Sequence, residues 1–207
     1  MQNNIISRLQ GQDLSCVRDD RILFEALNFE LNVGQVLLLE GENGSGKTSL
    51  LRILCGFREP DAGQVLWCEN AINDSQYYDD MAYVGHLDGV KKELTVLENL
   101  KVSLALGQSG QYSIAQALAK VQLTNFDDAL VQSLSAGQKR RLSLARLLIT
   151  KKTLWILDEP FTSLDKQGIS LIESLMTEHC KAGGMIILTS HHDIALPNVD
   201  VQRILLS

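Results

Sequence analysis

The chain predicts an α/β fold: a mainly parallel core sheet, a small antiparallel β part and an inserted α-helical lobe. Three observations carry this. The run Val36-Leu37-Leu38-Leu39 is apolar throughout, as a parallel strand covered on both faces must be, and a glycine-rich turn and a helix follow almost at once. Apolar strand, helix and apolar strand return over 154–157, about 167–180 and 185–189, and such alternation signals a parallel sheet with covering helices. Between these halves, from 94 to about 130, the apolar periodicity turns helical. The 207 residues therefore read as one domain, with a core over about 1–85 and 135–207 and a helical subdomain over about 86–134.

Taken in order, the first stretch reads as short strands and turns. Asn32-Val33-Gly34 is a turn between two strand-like runs, and 48–54 reads as the helix after the glycine-rich turn. Glu59-Pro60-Asp61-Ala62-Gly63 is a turn and 64–67 a strand. Thr95-Val96-Leu97-Glu98 has the spacing of a capping box, with Glu three residues after Thr. A second helix of the lobe begins at Ser113. Residues 136–148 form another, with Leu142, Ala145, Leu148 and Ile149 on its apolar stripe. Only three prolines occur, at 60, 160 and 197, each near an expected element end. There is no internal repeat, low-complexity tract or long linker.

Composition narrows the function classes. Hydrophobic residues make up 45% of the chain, ordinary for a globular domain. A formal net charge of -6 argues against a nucleic-acid binder, which carries a basic face. No run approaches the ~20 apolar residues that span a bilayer, and Met1 to Arg8 lacks the apolar stretch of a signal peptide. A membrane role would come through a partner. Cys16, Cys55, Cys68 and Cys180 are scattered without a C-x-x-C pair, which reads as four reduced, small apolar side chains.

Three motifs carry chemistry. Gly41-Glu42-Asn43-Gly44-Ser45-Gly46-Lys47-Thr48 fits the phosphate-binding pattern G-x-x-x-x-G-K-[ST], with Ser49 following on the helix. Its glycines let backbone N–H groups curl toward phosphate oxygens, and the helix adds its positive end. Lys47 has the reach for the outer phosphates of ATP. The Thr48 hydroxyl is a hard oxygen donor suited to Mg²⁺. Asp158 and Glu159 end the apolar strand that begins at Leu154, at the edge where open α/β sheets bind ligands. Asp158 would hold the Mg²⁺ shell, and Glu159 would polarise a water for attack on the γ-phosphate. The third motif is Leu134-Ser135-Ala136-Gly137-Gln138. Taken alone it is a serine-capped helix start; its N–H groups also form an anion site. The run Lys139-Arg140-Arg141 with Arg146 reads mostly as a solvated helix face.

Along the chain the third of these motifs lies between the first two, and all three in that chain order resemble the ATP-binding cassette, the engine subunit of ABC transporters, and so imply a P-loop NTPase fold. The resemblance extends to Ser163-Leu164-Asp165, which matches the D-loop. Thr189-Ser190-His191 falls where the family places a histidine that senses the γ-phosphate; His191 is preferred there over His192. The first two motifs share one sheet edge and the lobe carries the signature away from it. Ser135, Gly137 and Gln138 are thus expected to serve the ATP of a second copy in a head-to-tail homodimer, and Asp165 of the D-loop to bind nucleotide. Two positions depart from the pattern. His86, in Tyr83-Val84-Gly85-His86, stands where a metal-contacting glutamine is usual. Near Cys16 to Arg18 the aromatic that stacks on adenine is missing, leaving the Arg18 guanidinium plane to do so.

The His86 departure lies in one of four stretches that resemble the haem-exporter cassette of c-type cytochrome maturation, the CcmA family. These are 85–100, 134–141, 154–165 and 183–189. The chain also stops shortly after His191, as in that compact family. The resemblance implies a peripheral subunit on the cytoplasmic face of the bacterial inner membrane, with integral partners similar to CcmB and CcmC. It implies ATP hydrolysis that drives release of a haem-loaded periplasmic chaperone. No residue reads as a haem ligand. A translation ATPase would carry two cassettes, a chromosome-handling one a long coiled coil, and a small-molecule P-loop kinase no signature. The alternative is the ATPase of another small ABC transporter, for lipoprotein release or for ions or small molecules, which a glutamine at 86 would favour.

Overall fold

The computed structural model describes residues 8–207; the opening segment read as free of a signal sequence lies almost wholly outside them. Two sheets form. β1 (Arg8–Arg18), β2 (Arg21–Asn32), β4 (Ala62–Trp67) and β5 (Asn70–Ala71) make an antiparallel sheet in the order β2-β1-β4-β5. β3 (Gln35–Glu40), β6 (Met81–Val84), β7 (Leu154–Asp158), β8 (Met185–Thr189) and β9 (Asp200–Leu205) make a parallel sheet in the order β6-β7-β8-β3-β9. The helices are α1 (Lys47–Leu54), α2 (Ser75–Asp80), α3 (Val96–Ala105), α4 (Ile114–Lys120), α5 (Ala136–Ile149) and α6 (Lys166–Lys181).

The central strands are buried on both faces, so their apolar runs divide by alternation. Leu37, Leu39, Ile156 and Ile187 pack with Leu50 and Leu54 of α1 and with Trp67 of the antiparallel sheet. Val36, Leu38, Leu157 and Leu188 face the other way, onto Leu100, Leu142, Ala145, Ile149 and Ile172. The predicted turn at Val33 and Gly34 joins β2 to β3. Local chemistry sets three of the helix starts. Thr95, Ser113 and Ser135 each close a full capping box, with Glu98, Gln116 and Gln138 bonding back.

The structure departs from the sequence reading at four points. The "short strands" of the first stretch are two long ones, β1 and β2, whose register slips between Gly11 and Val17; those bulges break the alternation that marks a long strand. The helical stretch from 94 to about 130 stops short: α3 and α4 begin where they were read to, but they are separated by eight non-helical residues, 106–113, and α4 ends at Lys120. α2, polar in sequence, went unread. And a core strand that went unread, β9, follows Pro197 and pairs with β3, Val36 opposite Val201 and Leu39 opposite Ile204. As a half-exposed edge strand with polar residues on its outer positions, β9 lacks the apolar run of its neighbours.

Candidate active site

Parallel pairing brings the carboxyl ends of β3, β7 and β8 to one sheet edge. There a cavity of about 460 Å³ is lined by Asn43, Gly44, Gly46, Lys47, Thr48 and Ser49 from the glycine-rich turn, and by Asp158, Glu159 and His191 from the strand ends. Arg18, Leu23, His86 and Thr162 complete its wall. Gly46 ends the turn at φ +105, a left-handed conformation that lets the helix start directly at Lys47. Open space lies on the Cβ side of Gly44. The Ser45 hydroxyl is buried without a hydrogen-bond partner, as suits a group facing a phosphate. Lys47 is buried, and its Nζ donates to the carbonyls of Gly41 (2.6 Å) and Glu42 (2.9 Å).

The carboxylates are held differently. Asp158 is buried, and its Oδ1 accepts from Thr189 Oγ1 at 2.8 Å. The same hydroxyl accepts from the Glu159 N–H at 2.9 Å, so one threonine at the end of β8 sets both residues. Glu159 sits at φ +51, a strained region for a residue with a side chain. Its buried Oε1 makes no hydrogen bond and lies 3.5 Å from His191 Nε2, too far to count as one. His191 itself is exposed, as are His86 and Arg18 at the rim; Arg18 pairs with Asp19 at 3.5 Å. His192 does not line the cavity, and its N–H and carbonyl are tied to the Ser190 hydroxyl.

Other candidates stand elsewhere. Ser135, Gly137 and Gln138 do not line this cavity. Ser135 is exposed at the N-terminus of α5, where its hydroxyl accepts from the Gln138 N–H. Gly137 lies so close to the loop after β7 that a Cβ there would fall 2.8 Å from the Ser163 carbonyl. Asp165 is exposed and caps α6, accepting from the Gly168 N–H at 2.7 Å. Gly41, at φ +141, packs against the Leu206 carbonyl.

The expectation of a solvated face on α5 fails at Arg140 and Arg146. Arg140 is 2% exposed. Its Nε donates to the Pro160 carbonyl (3.1 Å), Nη1 to Gly85 (2.8 Å), and Nη2 to Asp158 (2.8 Å) and Glu159 (2.7 Å). Arg146 reaches Ser103 Oγ and the Gly89 carbonyl. α5 packs against the parallel sheet and against α3 and α4, so Arg140 is buried and Arg146 half-buried, and a guanidinium taken out of water must find acceptors. Thr189 and Arg140 hold Asp158 and Glu159 in ways that motif reading missed, as it missed Leu23 and Thr162 of the wall. A threonine ending an apolar strand beside the Asp-Glu pair was the available hint for the first. For the second, nothing local distinguishes Arg140 from Lys139.

A strand-turn-helix phosphate loop whose mouth holds Asp158 and Glu159 defines the class, a nucleoside-triphosphate-hydrolysing cassette. Residues 24–162 match the ABC transporter family. Over 97% of its length the chain superposes on 98% of an ABC transporter ATP-binding protein from Pyrococcus furiosus, at TM-score 0.83 and 26% identity. It is 46% identical to the cytochrome c biogenesis ATP-binding export protein CcmA of Vibrio cholerae, covering 95% of this chain and 97% of that one. It is 47% identical to the CcmA of Shewanella oneidensis, over 97% and 95% of the two chains. The chain belongs to the ABC transporter ATP-binding family, and within it to the CcmA type; it is an ATP-binding ATPase.

Proposed function

We propose that the chain is the ATP-hydrolysing subunit of a membrane ABC complex for c-type cytochrome biogenesis and haem export. The observation that carries the hydrolytic half is Glu159: a buried carboxylate oxygen with no hydrogen bond, at the mouth of the cavity that also holds Lys47, Thr48 and Asp158. Near-full-length likeness to CcmA proteins supports the biological half.

In this reading the turn's N–H groups and Ser45 cradle the phosphates. Lys47 exchanges its two carbonyl partners for β- and γ-phosphate oxygens, a gain because those acceptors are charged. Thr48 and the Asp158 carboxylate are both oxygen donors on one cavity wall, a set that fits Mg²⁺. When bound there, Mg²⁺ supplies positive charge against the charge that builds up on the phosphates. Glu159 takes a proton from water as the water oxygen bonds to the γ-phosphorus; the bond to the ADP oxygen breaks, and ADP and phosphate leave. His191 is placed to hold the γ-phosphate and the Glu159 side chain in register, and His86 faces the same space. Arg18 and Leu23 wall the side where the base would lie. Ser135, Gly137, Gln138 and Asp165 lie outside the cavity, which favours a homodimer in which they face the partner copy's ATP.

Among the described residues no helix is long and apolar enough to cross a membrane. We place the subunit on the cytoplasmic face of the bacterial inner membrane, against integral subunits similar to CcmB and CcmC. Hydrolysis there drives release of the haem-loaded periplasmic chaperone. Glu159→Gln tests both halves. Purified with its partners, it should bind ATP, persist as an ATP-held dimer and turn over about 10²–10⁴-fold more slowly, the contribution of a positioned base. Cells carrying it should lose c-type cytochromes, keep b-type haem proteins and accumulate haem on the chaperone. Normal turnover would remove Glu159 as the base. Normal cytochrome c maturation with a dead ATPase would instead assign the subunit to another small ABC transporter.

A further inference from the structure

The buried Arg140 guanidinium makes four hydrogen bonds and one longer ion-pair contact. The hydrogen bonds go to the backbone carbonyls of Gly85, Asp158, Glu159 and Pro160, and the ion pair is to Asp88 Oδ1, 3.5 Å from Nη1. Three of those carbonyls are consecutive. Successive carbonyls of a strand point to opposite sides, so three can converge on one cation only where the chain curls. Here the curl is made at Glu159, whose φ is +51. Nothing in the Glu159 side chain supports that conformation, since its Oε1 has no hydrogen bond. The backbone is held instead from one side by Thr189 Oγ1 on its N–H and from the other by Arg140 on its carbonyl. The Gly85 contact ties the same guanidinium to the residue preceding His86.

We propose that Arg140 is the positioning residue for Glu159: its planar fork fixes the curled backbone that aims the carboxylate, and it couples that carboxylate to the His86 loop. The proposal rests on Glu159 being the hydrolytic base. A lysine keeps the charge but offers a tetrahedral ammonium with three donors, which cannot reproduce a flat five-donor array. Backbone strain held by neighbours at an active site relaxes when those neighbours are removed, and small misplacement of a reacting group is costly.

The test is Arg140→Lys in the complex with its membrane subunits, with turnover at saturating ATP, ATP affinity and melting temperature measured together. Turnover should fall roughly 10- to 100-fold while the ATP dissociation constant changes less than about threefold. In a Glu159→Gln background the same substitution should lower the residual rate less than about twofold, because it acts through a group already lost. A merely structural arginine would give multiplying losses in the double variant, or weakened ATP binding in step with lowered melting; either result overturns the proposal. Should Arg140→Lys fail to fold, Asp88→Asn removes a partner of the guanidinium and none of the four carbonyls. It should slow turnover a few-fold with ATP affinity unchanged. An unchanged rate, or a shift in affinity alone, would overturn the proposal. If Glu159→Gln itself turns over normally, it is the base assignment that has failed.

Discussion

Lys47 is buried with its ammonium on two carbonyls of its own loop. A cation so placed meets phosphate with little side-chain entropy left to lose. Lys47→Ala should therefore cut ATP hydrolysis by more than about 100-fold, the usual cost of deleting one preorganised donor from a site where charge develops. Near-normal phosphate release by the purified complex would contradict this. His179 gives a pH prediction away from the site. Its ring stacks on Trp155, centroids 3.8 Å apart at 9°, and its Nε2 meets the Thr153 carbonyl at 3.2 Å. Burial pushes its pKa down to about 4 from 6.5. The folded state then holds the ring neutral where the unfolded chain would protonate it. The stabilisation is complete above pH 6.5 and is lost as pH falls toward 4, by at most roughly 3 kcal/mol. His179→Phe, which keeps a stacking ring without the proton site, should lose less stability than the parent in denaturant titrations between those pH values. Equal losses would show that other groups dominate.

At the scale of elements, α5 does two jobs from one helix. Its first turn presents Ser135 to solvent, and two residues beyond its capping box Arg140 grips the end of β7. The close approach of Gly137 to the Ser163 carbonyl means that a side chain at 137 would disturb the chain's own loop before it affected a partner. Ser135→Asp is the cleaner probe. Aspartate is as good an N-cap as serine, so the helix start survives while a negative charge now opposes phosphate. Ser135→Asp alone and Lys47→Ala alone should each be inactive. Mixed, they should form heterodimers in which one of two composite sites is intact, and part of the ATP-dependent activity should return. Additive inactivity on mixing would show that signature and phosphate loop act within one chain.

For the whole molecule, the question is which face meets the membrane subunits. Leu87 and Leu106 are 84% and 85% exposed. Leu106 lines a groove with Tyr83, Gly89 and Val102, between the loop after β6 and helix α3, and Leu87 belongs to that same loop. Large apolar side chains standing in water beside a groove mark an interaction surface. Leu87→Asp with Leu106→Asp should leave the melting temperature and the isolated chain's ATP hydrolysis within error, since neither side chain is packed. Recovery in the membrane fraction and co-purification with integral subunits should be lost. Unaltered membrane recovery would move the docking face elsewhere.

What the amino-acid order decided by itself is whatever rests on near neighbours. Glycines and Lys47 within eight residues specify a phosphate loop; Thr95 with Glu98, and Ser113 with Gln116, specify helix starts; Val36 to Leu39 specifies a doubly covered strand. Each depends on backbone geometry over one turn or one strand, so spacing is enough to read it. Tertiary structure alone decided that β9 closes the sheet beside β3, that Thr189 bridges the Asp158 carboxylate and the Glu159 N–H across two strands, and that Arg140 is buried while Lys139 next to it is not. These rest on partners 18 to 165 positions apart, such as Arg140 with Asp158 and Gln35 with Asp200. No local periodicity encodes such pairs, because the desolvation that forces a buried cation or hydroxyl to find acceptors exists only once the elements have packed.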